Sequence, residues 1–172
     1  RKAAMPGTST LARDAEFTDF VRQASPSLTR TAWLLTGDSH LAAELVQEAL
    51  VRTYLAWRRV RRGEATAYAR RVLVNANIDR WRRRPPVPSP DLDRPDTTDA
   101  EQAVDNRDQV ARMLAELPLQ QRRVIVLRYF NDLSEADVAE HLGISVGTVK
   151  SAASRGLATL RSRYATLGGE LS

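Results

Sequence analysis

The chain has 172 residues, 42% of them hydrophobic, and a formal net charge of +5. That is enough for one ordinary domain or two small ones, too apolar for global disorder, and basic enough to favour a polyanionic partner, either nucleic acid or an anionic membrane. It has no cysteine, which excludes disulfides, thiolate zinc sites and thiol catalysis and suits a reducing cytoplasm.

In chain order, Phe17, Phe20, Val21, Ala24 and Leu28 keep helical spacing, Pro26 is expected to interrupt or kink that helix, and the pattern resumes through Trp33 and Leu35. Thr36-Gly37-Asp38 reads as a turn, after which Leu41, Leu45, Val46, Ala49, Leu50, Tyr54 and Trp57 form the apolar face of a helix over roughly residues 40–60, capped by Asp38 or Ser39. Gly63 breaks the pattern, and a third helix over Thr66–Arg83 carries Val74, Ile78 and Trp81 on one face. Prolines 85, 86, 88 and 90, followed by an acidic run, cannot continue it, so residues 85–102 are expected to be an extended linker. Helices over Ala103–Leu117, Leu119–Asn131, Ser134–Leu142 and Ser145–Tyr164 complete the chain. No useful period-2 stretch appears, which predicts an all-α fold of two small helical domains, residues 14–84 and 103–165, joined by a flexible linker. No apolar run is long enough to span a membrane, no signal-peptide pattern precedes Phe17, and Met5 is a candidate natural start in a sequence that begins at Arg1.

Charge is segregated. Eleven arginines lie between Arg52 and Arg84 against Glu64 and Asp79, whereas seven acids lie between Asp91 and Asp108 against Arg94 and Arg107. The two stretches are built to meet different things.

The most specific local signal runs from Leu133 to Lys150. Ala139 is small where two helices must approach, Gly143 supplies a left-handed turn, and Val149 points back into the crossing. This is the skeleton of a helix-turn-helix whose second helix enters a DNA major groove. Val149, Ala153, Gly156, Leu157 and Leu160 are expected to pack inward, leaving Thr148, Lys150, Ser151, Ser154 and Arg155 to face DNA, with Ser145 as N-cap. The bland alternative is a helical hairpin with a solvated polar face; the Ala–Gly–Val skeleton favours DNA.

In the first half, Glu44, Gln47 and Glu48 lie close on one helix, a pattern that is usually only a solvated stripe. Arg71, Asn75, Asp79 and Arg82 form one continuous row on the third helix. Arg82 and Arg83 can reach phosphates and Asn75 a base edge, while Tyr54, Trp57, Tyr68 and Trp81 add aromatic surface suited to stacking unpaired bases. Trp57 and Trp81 are at least as well explained as core residues. A membrane-surface helix is a weaker reading, because a helix-turn-helix shares the chain. His40 and His141 lie in different halves without ligand spacing and no nucleophile–base set is evident, so neither a metal, a cofactor nor an enzymatic activity is expected.

These residues resemble a known family. Ala43–Glu48 resembles the region 2.2 signature of extracytoplasmic-function (group IV) sigma factors of the sigma-70 family, of the type common in actinobacteria; Asn75–Arg82 resembles region 2.4; Leu117-Pro118, Arg122, Leu127–Tyr129 and Gly147–Ser151 resemble region 4. The resemblance covers about residues 14–84 and 103–165 and implies a cytoplasmic transcription initiation factor. In that role Glu44, Gln47 and Glu48 would meet the clamp helices of the core RNA polymerase β′ subunit. Arg61, Arg62, Arg71, Asn75, Arg82 and Arg83 would hold the melted −10 element, with a base flipped into the Arg61–Thr66 loop. Thr148, Lys150, Ser151, Ser154 and Arg155 would read the −35 element as duplex, and part of the same module would meet the β flap. The acidic linker would run through the active-site and RNA-exit channels, and chemistry would belong to the polymerase core. Family members are often held inactive by an anti-sigma factor. The sequence departs from the family pattern at Glu44, where Asp is usual, at Tyr68, often Trp, and at Ala152, where Arg is commoner. The competing reading is a stand-alone helix-turn-helix regulator with residues 14–84 as a sensor or dimerisation domain.

Overall fold

The structure is a computed structural model that describes residues 6–83 and 101–168. The described residues form α-helices and short helical turns, without strands: α1 (Pro6–Thr36), α2 (Ser39–Leu55), a 3-10 turn (Arg62–Glu64), α3 (Ala65–Arg83), α4 (Glu101–Ala115), α5 (Leu119–Ile125) running into a π turn (Val126–Phe130), α6 (Glu135–Leu142) and α7 (Val146–Gly168). The all-α architecture is therefore as expected. The linker stretch falls mostly outside the described residues, and its last two positions, 101 and 102, already belong to α4. Among the described residues no helix is long and apolar enough to cross a membrane.

The expected break at Pro26 does not occur, because α1 runs unbroken through it. Pro26 and Arg22, whose carbonyl loses its helical N–H partner to the proline, are both exposed, so water can take the place of that donor at little cost. Ala24, Leu28, Ala32 and Leu35 continue one buried stripe on either side of it, and this packing outweighs the local preference. Gly37 ends α1 with φ +66°, its N–H donating to the Trp33 carbonyl at 2.7 Å. Asp38 is the cap of α2, accepting from the backbone N–H groups of His40 and Leu41 at 2.9 and 3.1 Å.

Helix α2 stops at Leu55, short of the expected 60, and the next residues form a turn around Trp57. That indole is 1% exposed, with the Phe17 and Phe20 rings 5.1 and 5.2 Å away. Arg62 closes the turn by stacking on Trp57 at 4.0 Å and donating to the Trp57 and Val60 carbonyls at 2.7 and 3.0 Å. Helix α3 then packs Ala65, Ala69, Leu73, Val74 and Ala76 against α1 and α2.

In the second half, Ser134 caps α6 by accepting from the Asp137 N–H at 3.1 Å. Gly143 makes the turn at φ +65°, and Ser145 accepts from the Thr148 N–H at 3.1 Å at the start of α7. Helix α7 crosses α5 at Gly156, where the glycine backbone lies directly against Ile125.

The two halves pack on each other. Arg122 of α5 donates through Nε to the Leu34 carbonyl at 2.8 Å, supplying an acceptor-seeking group to the last turn of α1. Thr31 Oγ1 donates to Asn131 Oδ1 at 3.0 Å, and Arg30 donates to the Phe130 carbonyl at 3.0 Å. Apolar residues of both halves, Ala24 to Ala76 and Leu114 to Ala153, share one contiguous core.

Candidate nucleic-acid interface

Helix α3 presents Arg71, Asn75, Asp79, Arg82 and Arg83 exposed along one side of the first half. Its opposite face is the buried one just described, and this division gives the row its direction. Trp81 joins the surface, 43% exposed, whereas Trp57 is core; of the two tryptophans for which core and interface readings compete, only Trp81 is left to meet a partner. Tyr54 is tied down by donating its hydroxyl to Asp14 at 2.8 Å, and Tyr68 is half-buried.

Arg61 is exposed, while Arg62 beside it is committed to the Trp57 turn and to Glu16, whose carboxylate lies 3.0 Å away. The hydrogen bond from Arg62 holds the Glu16 carboxyl below its ordinary pKa.

The three α2 residues separate into two sides. Glu44 and Glu48 face α3, where Arg80 lies 2.6 and 3.8 Å from their carboxylates, and Glu48 also pairs with Arg52 at 2.8 Å. Gln47 instead sits on the rim of an apolar groove between α1 and α2, lined by Phe17, Val21, Trp33, Val46, Leu50 and Tyr54. In the sequence Arg80 is one more cation of the basic block; its place opposite Glu44 depends on the helix crossing, which spacing within one helix does not reveal.

Helix α7 is divided cleanly. Val149, Ala152, Ala153 and Gly156 are buried, and Thr148, Lys150, Ser151, Ser154 and Arg155 are all exposed on the other side. Thr148 and Ser145 share a hydroxyl hydrogen bond at 2.8 Å at the helix start, and Lys150 lies 3.8 Å from Glu135, a long and exposed pair. Ala152 is 8% exposed, so the small residue there belongs to the packing side and leaves no gap in the polar face. With two cations and three hydroxyls, this face can accept phosphates and offer donors to base edges.

Burial lowers the pKa of several cations between the halves: Arg122 is pushed down to about 10, and Arg70 is lowered as well. Arg123 is lowered by burial and then by the nearby Arg82 charge. His141 is lowered by burial, opposed by its hydrogen bond to the Asp137 carbonyl at 2.8 Å and reinforced by Arg71 and Arg70.

Residues 20–85 match sigma-70 region 2 and residues 107–160 match sigma-70 region 4. The RNA polymerase sigma-E factor of Streptomyces coelicolor is 38% identical over 149 residues, covering 85% of this chain and 84% of that protein. The ECF RNA polymerase sigma factor SigM of Mycobacterium tuberculosis is 32% identical over 158 residues, covering 91% and 79%. Among solved structures, CnrH in complex with the cytosolic domain of CnrY has the same fold, with a TM-score of 0.65, 23% identity and coverage of 87% and 88%. So does RpoE in complex with the anti-sigma factor NepR from Bartonella quintana, with a TM-score of 0.64, 21% identity and coverage of 85% and 94%.

Proposed function

The chain belongs to the extracytoplasmic-function group of the sigma-70 family of RNA polymerase sigma factors, and from that premise we propose how its two halves divide the work of starting transcription. Residues 14–84 engage core polymerase and the −10 element, residues 85–102 tether, and residues 103–165 read the −35 element. The chain contributes binding and no bond-making chemistry of its own, and it works in the cytoplasm on the chromosome.

On α2, Gln47 and the apolar groove beside it offer a hydrophobic seat with a polar rim for the β′ clamp helices. Glu44 and Glu48 add negative charge that Arg80 orients. On α3, Arg71, Arg82 and Arg83 neutralise the backbone of an opened strand, Asn75 hydrogen-bonds a base, and Arg61 flanks the loop that receives a flipped one. Arg62 acts indirectly, by holding that loop on Trp57. On α7, Lys150 and Arg155 reach phosphates or guanine edges while Thr148, Ser151 and Ser154 supply hydroxyls. Other surfaces of the second half meet the β flap, and an anti-sigma factor, the partner of the RpoE relative, is a regulator this chain would share.

The observation that carries the reading is the pairing, on one chain, of an arginine–asparagine row on α3 with a polar recognition face on α7, in the order of regions 2 and 4. Its test is promoter binding by the chain loaded on core polymerase. Arg82→Ala should weaken binding on all promoters and lower the log–log salt slope by about 0.7, the value for a single strand. Arg155→Ala should cost about 1–3 kcal/mol on the matched −35 sequence and little on a scrambled one. Equal losses on both would remove Arg155 from base reading. Tight operator binding by the free chain at physiological salt, with no affinity for core polymerase, would favour the stand-alone regulator.

A further inference from the structure

We propose that Glu16, which precedes the region 2 match beginning at residue 20, is a positioning residue for base selection in the −10 element: it keeps Arg62 on Trp57 and off the DNA, and so fixes the loop that receives the flipped base. The proposal rests on the reading of that loop as the base-receiving one and adds the residue that sets its shape.

Arg62 is held by its own loop and by a distant helix. Its guanidinium lies over the Trp57 indole at 4.0 Å, and Nη1 donates to the Trp57 and Val60 carbonyls at 2.7 and 3.0 Å. Nη2 donates to Glu16 Oε2 at 3.0 Å, which ties the loop to α1 across 46 residues. Helix α1 is itself fixed at this level. Phe17, the neighbour of Glu16, packs its ring 5.1 Å from the buried Trp57 indole, and Asp14 accepts from the Tyr54 hydroxyl at 2.8 Å. Glu16 therefore cannot move away from Arg62 without unpacking aromatic rings. A bare surface ion pair is worth little, because two long side chains must be ordered to make it. Here the ring and two carbonyls already order the guanidinium, so the carboxylate meets a preorganised fork. The hydrogen bond from Arg62 is also the chief cause of the lowered Glu16 pKa.

The sign of the charge points to the same role. Arg58, Arg59 and Arg61 are exposed around this loop, a surface that attracts a nucleic-acid backbone. A carboxylate among them opposes that attraction, so Glu16 weakens grip. What it supplies is competition for Arg62, since it offers a guanidinium the same pair of anionic oxygens as a phosphate. Were Arg62 to turn to a phosphate, the Trp57 and Val60 carbonyls would lose their donor and the indole its cation. The loop would gain a backbone contact and lose its closure. Backbone contacts need charge, whereas choosing a base needs a fixed shape. Removing Glu16 should therefore move affinity and specificity in opposite directions, which loss of a merely structural contact does not do.

The experiment uses the full chain loaded on core polymerase and single-stranded −10 oligonucleotides in which each base is varied in turn, over a series of salt concentrations. Glu16→Ala should lower discrimination at the flipped base by about two- to fivefold. It should bind a scrambled strand more tightly, with a log–log salt slope steeper by about 0.7 as Arg62 turns to a phosphate. Glu16→Gln, which keeps an acceptor for Nη2, should retain most of the discrimination. In an Arg62→Ala background Glu16→Ala should cause no further loss of discrimination, because the residue acts through Arg62. Discrimination that survives Glu16→Ala, equal weakening on matched and scrambled strands, or the same loss with and without Arg62 overturns the proposal. Should Arg62→Ala misfold, the contrast between Glu16→Ala and Glu16→Gln carries the test, and equal discrimination by the two is the contrary result. A wild-type chain that shows no base preference anywhere in the −10 strand removes the reading of the loop itself, a result distinct from a preference that Glu16→Ala leaves intact.

Discussion

Gly156→Ala sets helix propensity against packing at one atom. Alanine in the middle of α7 should gain about 1 kcal/mol over glycine on propensity alone. The new methyl, however, would lie 2.9 Å from Ile125 Cγ1, 3.2 Å from its Cδ1 and 3.6 Å from Gln121 Cβ. Comfortable carbon–carbon contact begins at about 3.5 Å, so the overlap is severe at Cγ1. That atom cannot swing away: it is one bond from the helix-bound Cβ, Ile125 is 1% exposed, and β-branched residues keep essentially one χ1 in helices. Relief must come from moving α7 off α5, which costs about 1–3 kcal/mol. The net expectation is a loss of about 1 kcal/mol, with the recognition face displaced along with its helix. Urea denaturation followed by circular dichroism gives the number, provided the m-value is unchanged. Ile125→Ala alone should cost about 2–5 kcal/mol through its cavity. The double variant should fall short of the sum by about 1 kcal/mol or more, because the added methyl then enters vacated space. A stabilised Gly156→Ala, or additive losses, would refute the close approach of α5 and α7.

Other outcomes follow from single residues. Gly143→Val meets open space but must hold φ near +65°; the backbone penalty of about 1–2 kcal/mol or more should loosen α6 against α7, seen as faster amide exchange in α6. Asp38→Ala removes the acceptor of two N–H groups at the start of α2 and should cost about 1 kcal/mol in the same urea assay, whereas Asp38→Asn should retain most of it. His141 is held below its ordinary pKa by burial. On acidification the unfolded chain takes up its proton first, near pH 6.5, so stability should fall from there downward until the folded pKa is passed and be unaffected by this group above it. Arg70 and Arg71 on α3 and Asp137 on α6 face the ring; His141→Gln should flatten the slope between pH 7.5 and 5.5.

Local chemistry was legible wherever one element decides it. The Gly143 turn, the Ser145 cap and the inward stripe of α7 follow from spacing and side-chain type, and each is where its residues place it; for α2 the sequence offers Asp38 or Ser39 as cap, and the fold uses Asp38. Pro26 was misleading because a propensity rule weighs one carbonyl, while the buried stripe around it weighs a whole helix. Trp57 and Trp81 were inseparable in sequence, since both stand on apolar faces; only the arrival of Phe17 and Phe20 puts the first inside. Arg62 looked like one more cation in a basic block, yet its place on Trp57 makes it part of the loop's frame. The contact of Arg122 with Leu34 joins residues 88 apart. Nothing in a periodic pattern signals such a pairing, and so the closed arrangement of the halves lay beyond the reach of the sequence.

The central claim is that this chain tells core polymerase where to begin. The direct measurement is to map RNA 5′ ends made on a genomic DNA library by core polymerase with and without the purified chain. New, discrete start sites that share paired upstream sequence elements, appear only with the chain and vanish with an α7 face substituted at Lys150 and Arg155, are the predicted result. An unchanged set of start sites, with no complex between chain and core enzyme, would contradict it.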